Sequence, residues 1–351
     1  IRLLGTFKNP EFKGVVETHN VSLVVEYLNT RYFVDDKIGL SNTSIDFRGL
    51  VIRDELNNTA KVRGQITHDF FADMHMNVSV IEANNIMVLN TTKAQNEVFY
   101  GTGFATGRAD FKGPVDDLVI NIKAKTNRGS KLTIPIYDDS DNAYEDYISF
   151  KKPVTDSTDK SNVSLEPESD QKISMELEID LTEDAEFVLL FDEVLDDKIS
   201  CTGFGNVKIQ YATGEDLFMY GVFEITNGIY PFSSPTLVSE KFDIRPGGQV
   251  VWNGDPYNAK IDLTAAVARN RANPLDLMIG MVDGNEEAYN TQIKMNVLLK
   301  LKGELFNPEI SFGWEFPDIT SNPFTEFNSL IKKIEADPDE MNRQGFSLIT
   351  F

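Results

Sequence analysis

Metal chemistry in this chain would have to start from three histidines, His19, His68 and His75. Six residues separate the last two, and neither a cysteine partner nor an HExxH helix accompanies them. That spacing predicts solvent-facing strand histidines and no metal site. Carboxylates stand side by side at Asp35-Asp36, Asp116-Asp117, Asp138-Asp139 and Asp196-Asp197, the arrangement that acid–base catalysis uses. With 55 acidic residues in the chain such pairs arise by chance, and they belong to turns. Gly101, Gly103 and Gly107 approximate a dinucleotide fingerprint, but the spacing is wrong and no helix pattern follows, so they read as bulges. Gly254-Asp255-Pro256 reads as a turn between strands. Neither a Gly-x-Ser-x-Gly elbow nor a phosphate-binding loop is present. The expectation is a protein that is not an enzyme, with no catalytic residue, metal or cofactor.

Composition narrows the partners. A formal charge of −22 argues against nucleic acid, whose phosphates demand Lys and Arg clusters, and against lying flat on an anionic leaflet. The single Cys201 cannot form an intrachain disulfide. No run of 18 apolar residues occurs, so no helix is expected to span a membrane. Ile1 in place of an initiator Met suggests a mature or partial chain whose targeting signals lay upstream.

The elements that carry these residues are strands. Gly5, Asn9, Pro10 and Glu11 recur at the same spacing as Gly303, Asn307, Pro308 and Glu309. Asn-Pro opens a turn and the earlier glycine permits close backbone approach, so each set reads as strand, turn, strand. Period-two alternation dominates between them. Ile173, Met175, Leu177, Ile179 and Leu181 interleave with Ser174, Glu176, Glu178 and Asp180. The same pattern runs through Met74 to Val80, Leu118 to Ala124, Leu132 to Ile136, Val207 to Tyr211, Ile261 to Val267, Ile293 to Leu301 and Ile310 to Phe316. One oily and one wet face predict an all-β chain built on a long antiparallel sheet.

Residues 138–170 are polar and 269–290 carry Pro and Gly, so both are expected to be long surface loops within a β region spanning 1–320. From Asn322 the period changes: Phe324, Phe327, Leu330, Ile331 and Ile334 mark an amphipathic helix, followed by an apolar end from Phe346 to Phe351. Residues 321–351 are thus expected to form a C-terminal helix and terminal apolar segment.

The segment FDIRPGGQVVWNGDPYNAKIDLT (Phe242 to Thr264) closely resembles the C-terminal domain of TamB, the translocation and assembly module family of Gram-negative envelopes. FMYGVFEITNGIYPF (Phe218 to Phe232), the stretch from Phe99 to Ile136, and LKGELFNPEI (Leu301 to Ile310) extend the likeness. The Phe-rich strands and the tail Asn342-Arg343-Gln344 are similar to versions from Bacteroidota, in which Asp156-Ser157-Thr158 would match an O-glycosylation acceptor. The resemblance implies a sheet folded into a U-shaped (β-taco) trough with the oily face inside. It also implies a periplasmic bridge, anchored in the inner membrane by an absent N-terminal part and reaching the outer membrane. Its expected partners are phospholipid and an outer-membrane barrel insertase of the TamA or BamA class.

Residue patterns alone leave an open trough and a closed apolar core both standing; the resemblance selects the trough. Its expected lining is Met175, Leu177, Ile179, Ile209, Phe223, Ile225, Leu263, Ala265, Met295, Val297, Leu299, Phe312 and Trp314. Phe324, Phe327, Ile331, Phe346 and Phe351 are the expected docking residues. Two functions are consistent with this: a lipid conduit, and an assembly module acting with the insertase through exposed strand edges. A solenoid enzyme would need short even repeats, and an outer-membrane barrel would need aromatic girdles and an even number of strands of about ten residues each. Asp or Arg at Leu177, Val297 or Leu263 is expected to impair lipid passage more than folding.

Overall fold

Alternating β-branched, aliphatic and aromatic residues form strands because each strand can then bury one face and solvate the other. The computed structural model describes residues 2–6, 9–97, 99–135, 172–193, 197–232, 240–272, 293–305, 307–317, 337 and 341. The first half comprises β1 (Arg2–Thr6), β2 (Asn9–Glu17), β3 (Val21–Val25), β4 (Thr30–Val34), β5 (Lys37–Ser41), β6 (Ser44–Asp54), β7 (Thr59–Asp69), β8 (Ala72–Thr91), β9 (Tyr100–Pro114), β10 (Asp117–Thr126) and β11 (Lys131–Pro135). The second comprises β12 (Lys172–Leu181), β13 (Glu186–Asp192), β14 (Asp197–Ala212), β15 (Phe218–Phe232), β16 (Glu240–Ile244), β17 (Gly248–Gly254), β18 (Lys260–Ala272), β19 (Ile293–Glu304) and β20 (Asn307–Glu315). Each alternating stretch named above coincides with one of them, except that Phe316 lies one residue past β20 and Ile136 lies outside the described residues. Among the described residues, two short 3-10 turns, Glu26–Leu28 and Pro256–Asn258, interrupt the strands.

All twenty strands join one sheet. Several tiers are a single long strand broken in two: β10 and β11 both pair with β9, and β16 and β17 both pair with β15. The repeated Gly-Asn-Pro-Glu sets form equivalent hairpins. Gly5 faces Pro10 and Thr6 faces Asn9, just as Gly303 faces Pro308 and Glu304 faces Asn307. Both glycines hold positive φ, +84° and +98°, a conformation that L side chains rarely adopt.

The antiparallel expectation fails at one place. β10 runs parallel to β12, with Asp117 opposite Lys172, and β11 runs parallel to β13, with Lys131 opposite Glu186. A hairpin cannot join parallel neighbours; they need a crossover of about a dozen residues or more. The chain must return from Pro135 to Lys172 along the whole β10–β11 tier, at most roughly 60 Å at strand rise. The stretch 136–171, which includes the expected loop at 138–170, lies outside the described residues, and the parallel pairing requires it to span that return. The expected loop at 269–290 begins later than its composition suggested, because β18 continues to Ala272; 273–290 lies outside the described residues.

The wet face is held by cross-strand ion pairs. Lys123 pairs with Glu178 across the parallel step, Lys208 with Glu176 at 2.9 Å, Lys61 with Glu82 at 2.7 Å and Lys302 with Asp262 at 3.2 Å. Lys208 and Gln210 hold the Glu176 carboxyl below its usual range, as Lys61 does for Glu82. Such exposed pairs contribute about 1 kcal/mol or less each, and their main effect is on register.

Glycines let the backbones of β14 and β15 approach closely. A Cβ on Gly205 would lie 2.0 Å from the Val222 carbonyl oxygen, and one on Gly221 would lie 2.1 Å from that of Asn206. Neither obstacle can move without the strand. Gly205→Ala is expected to destabilise by about 3 kcal/mol through this overlap, read as a lowered denaturant midpoint with unchanged slope.

Candidate functional site

In a twisted sheet, residues directly opposite one another share a face, so the pairings trace rows across the strands. One row runs Leu50, Val62, Val80, Ala109, Ile122, Leu177, Ile209 and Met219 from β6 to β15. At about 4.8 Å per strand that is roughly 33 Å of unbroken apolar surface. A second row, Ala60, Ala83, Gly107, Ala124, Ile179, Val207, Gly221 and Trp252, lies beside it. No charged side chain enters either row.

This face has two regimes. On β10, β12 and part of β14, Leu118, Ile120, Ile122, Met175, Leu177, Ile179 and Ile209 are all half-buried. Elsewhere it is a packed core, which takes in Leu189, Ile199 and Cys201 on β13 and β14 as well as the strands from β15 to β20. Ile225, Ala265, Val297 and Leu299 are 0% exposed, and Phe223, Leu263, Met295 and Trp314 are also buried. Phe187 meets Phe223 edge to face at 4.9 Å between ring centroids, and Phe312 packs against the cluster half-buried. Met341, whose N–H donates to the Asp337 carbonyl one helical turn earlier at 2.9 Å, packs against the same cluster.

The expected lining residues thus lie on one face but in two environments: Met175, Leu177, Ile179 and Ile209 on the half-open stretch, and Phe223, Ile225, Leu263, Ala265, Met295, Val297, Leu299, Phe312 and Trp314 in or against the core. For Val297 and Leu263 the expectation that folding would survive a charge no longer follows, since no water reaches them. The residues missed were Leu50, Val62, Val80 and Ala109 in the first row. Ile120 and Ile122 carried a visible alternation signal, but their alignment with β12 depends on the parallel step. Phe324, Phe327, Ile331, Phe346, Phe351, Ser157 and the pair Asp138-Asp139 lie outside the described residues.

The chemistry-bearing residues are absorbed by structure. Gly101, Gly103 and Gly107 lie within β9, opposite an irregular stretch of β8 where the register shifts. Asp255 caps its turn, accepting from the Tyr257 N–H at 2.9 Å. His75 is exposed as expected, but His68 is not: it is 6% exposed, on the apolar face of β7. The Phe71 ring stacks on its imidazole at 4.6 Å, and its Nδ1 accepts the Phe71 N–H at 3.0 Å. Burial pushes the Cys201 thiol up to about 12, so it is no nucleophile at neutral pH. Among the described residues no group of three or more His, Cys, Asp or Glu could hold a metal, and no helix is long and apolar enough to cross a membrane.

A long sheet whose apolar face runs uninterrupted from strand to strand is the geometry on which the comparison with known families turns, and the TamB C-terminal domain matches residues 48–351. The chain belongs to the TamB C-terminal domain family. No curated protein matches it at a significant level. Membership of the TamB family places the chain in the cell envelope and gives it a role in outer-membrane assembly and lipid transport in the general sense, in association with outer-membrane machinery. Strands β1 to β5 precede the match, yet β2 pairs with β5 and β5 with β6, so they extend the TamB sheet without a break.

Proposed function

We propose that this chain is a stretch of a periplasmic phospholipid conduit between the inner and outer membranes, working without catalysis. The sheet curls into a U-shaped trough. Acyl chains lie along the half-open rows, gaining roughly 0.8 kcal/mol per methylene removed from water, while headgroups ride at the open seam. An upstream part anchors the protein in the inner membrane, and the far end meets a barrel insertase of the TamA or BamA class. The single observation that carries this reading is the half-buried apolar row through Ile122, Leu177 and Ile209, uncharged across its whole width.

A second reading, an assembly module that templates outer-membrane protein strands, draws support from β3. Among the described residues it pairs only with β4, and its Val21, Leu23 and Val24 are exposed, an edge suited to β-augmentation. Mass spectrometry of a lipid extract from the purified chain separates the two. Stoichiometric phospholipid is the expected result; a lipid-free preparation that still captures barrel substrate strands would replace the conduit with the module.

A further inference from the structure

On the wet face of β6 and β7 two cations stand directly opposite each other. Arg48 faces Arg63 across the hairpin, where opposed side chains start about 5 Å apart at Cβ. Like charges in that position destabilise a sheet, and the chain has 55 acidic residues from which a better partner could be drawn. Elsewhere on the same face the conflict is resolved: Arg108 faces Lys123, but Lys123 pairs with Glu178 on the next strand. Between Arg48 and Arg63 it is not. Asp46 stands 3.9 Å from the Arg48 Nη2, and Arg63 makes no ion pair among the described residues.

The backbone around the pair is shaped as well. The register shifts between Arg48 and Leu50, and the extra residue, Gly49, holds φ at +91°. A bulge of this kind re-aims the side chains beside it. Gln65, two residues along β7 from Arg63, faces Asn77 on β8. These two, with Arg48, Arg63, Phe47 and Gly64, line an open depression of about 410 Å³. Two guanidinium groups and two carboxamides therefore supply a surplus of N–H donors against the single carboxylate of Asp46. The next carboxylates are already engaged, Glu82 by Lys61 and Asp110 by the Ser79 hydroxyl.

We infer that this depression binds a phosphate group, with Arg48 and Arg63 gripping its oxygens and Gln65 and Asn77 completing the donor set. The guanidinium fork meets phosphate oxygens through paired N–H···O bonds, which the ammonium of Lys cannot reproduce. A carboxylate has two oxygens and one charge, enough for one fork; a phosphate monoester has three and nearly two, enough for both. Bound there, it turns the repulsion between Arg48 and Arg63 into two attractions. The net charge of −22 does not oppose it, because charges more than about 8 Å away are largely screened at physiological salt. Two sources carry this chemistry, a soluble phosphate ester and the headgroup of a phospholipid. The site lies on the face opposite the apolar rows, so it stands independently of the conduit reading.

NMR titration of the purified chain tests it, read on the side-chain signals of Arg48 and Arg63. With glycerol 3-phosphate the two shift together and saturate, and acetate binds more weakly. Arg63→Gln weakens binding at least about tenfold. Arg63→Lys, which keeps the charge and loses the fork, weakens it too. Lys302→Gln, which removes a cation elsewhere on the wet face, leaves it unchanged. Without ligand, Arg63→Gln melts no lower than the wild type, because it relieves the repulsion; glycerol 3-phosphate then raises the melting temperature of the wild type alone. Shifts that never saturate, or that Lys302→Gln weakens equally, show counter-ion screening only and overturn the proposal. So does an Arg63→Gln chain that is markedly less stable by itself, since the pair is then structural. Dihexanoyl phosphatidic acid below its micelle concentration separates the sources: saturation of the same signals at lower concentration than with glycerol 3-phosphate marks a headgroup, and saturation at equal or higher concentration a soluble ester. Loss of co-purifying phospholipid from a chain that keeps this titration counts against the conduit alone.

Discussion

Val297→Asp yields a chain whose C-terminal strands do not assemble. Val297 is 0% exposed and stands between Val267 on β18 and Trp314 on β20, all on the apolar face. A carboxylate there has neither water nor a cation opposite it, and its burial costs about 4 kcal/mol or more. Hydrogen exchange will show β18 to β20 unprotected, or the protein will be recovered as aggregate. A well-folded Val297→Asp would mean that this part of the face is wet, and the packed core would have to be abandoned.

The same substitution one regime away has the opposite signature. Leu177→Asp replaces a half-buried residue between Ile122 and Ile209, where the new carboxylate still reaches solvent. The fold survives with a loss of about 1 kcal/mol. The uncharged row does not survive, and co-purifying phospholipid falls severalfold because a charge now sits where acyl chains would lie. Circular dichroism unchanged with lipid depleted is the expected pair of results. Lipid retained at wild-type level would remove this row from the path, and collapse of the fold would show that it is core.

Strand identity was legible because alternation is a local property: Ile173 to Leu181 needs no partner to declare its two faces. Family membership was legible in the run from Phe242 to Thr264. What each face meets is not local. Leu177 and Val297 have the same pattern, and nothing within either strand separates a half-open position from one with no exposure. That difference arises from contacts between strands far apart in the chain, which bury Val297 in a cluster reaching from Leu189 to Trp314 and leave Leu177 outside it. The parallel step hid for the same reason, since parallel and antiparallel partners ask the same alternation of β12. His68 looked like any polar strand residue. Its burial depends on the turn at Phe70 and Phe71, both at positive φ, a conformation that bulky side chains argue against.

The parallel step also sets an order of events. Antiparallel neighbours can zip one after another as a chain is threaded across a membrane, each strand pairing as soon as it emerges. β12 cannot, because its partner β10 begins at the far end of the tier just completed, and the intervening crossover must be fully delivered first. Vectorial folding therefore pauses after β11, with the β10–β11 edge unpaired. During that pause the edge is open to any extended chain nearby. Loop closure over a separation this long is slow compared with hairpin formation. The parallel step is where this protein is most exposed to mispairing before it is finished, and where a holdase chaperone would have its reason to act.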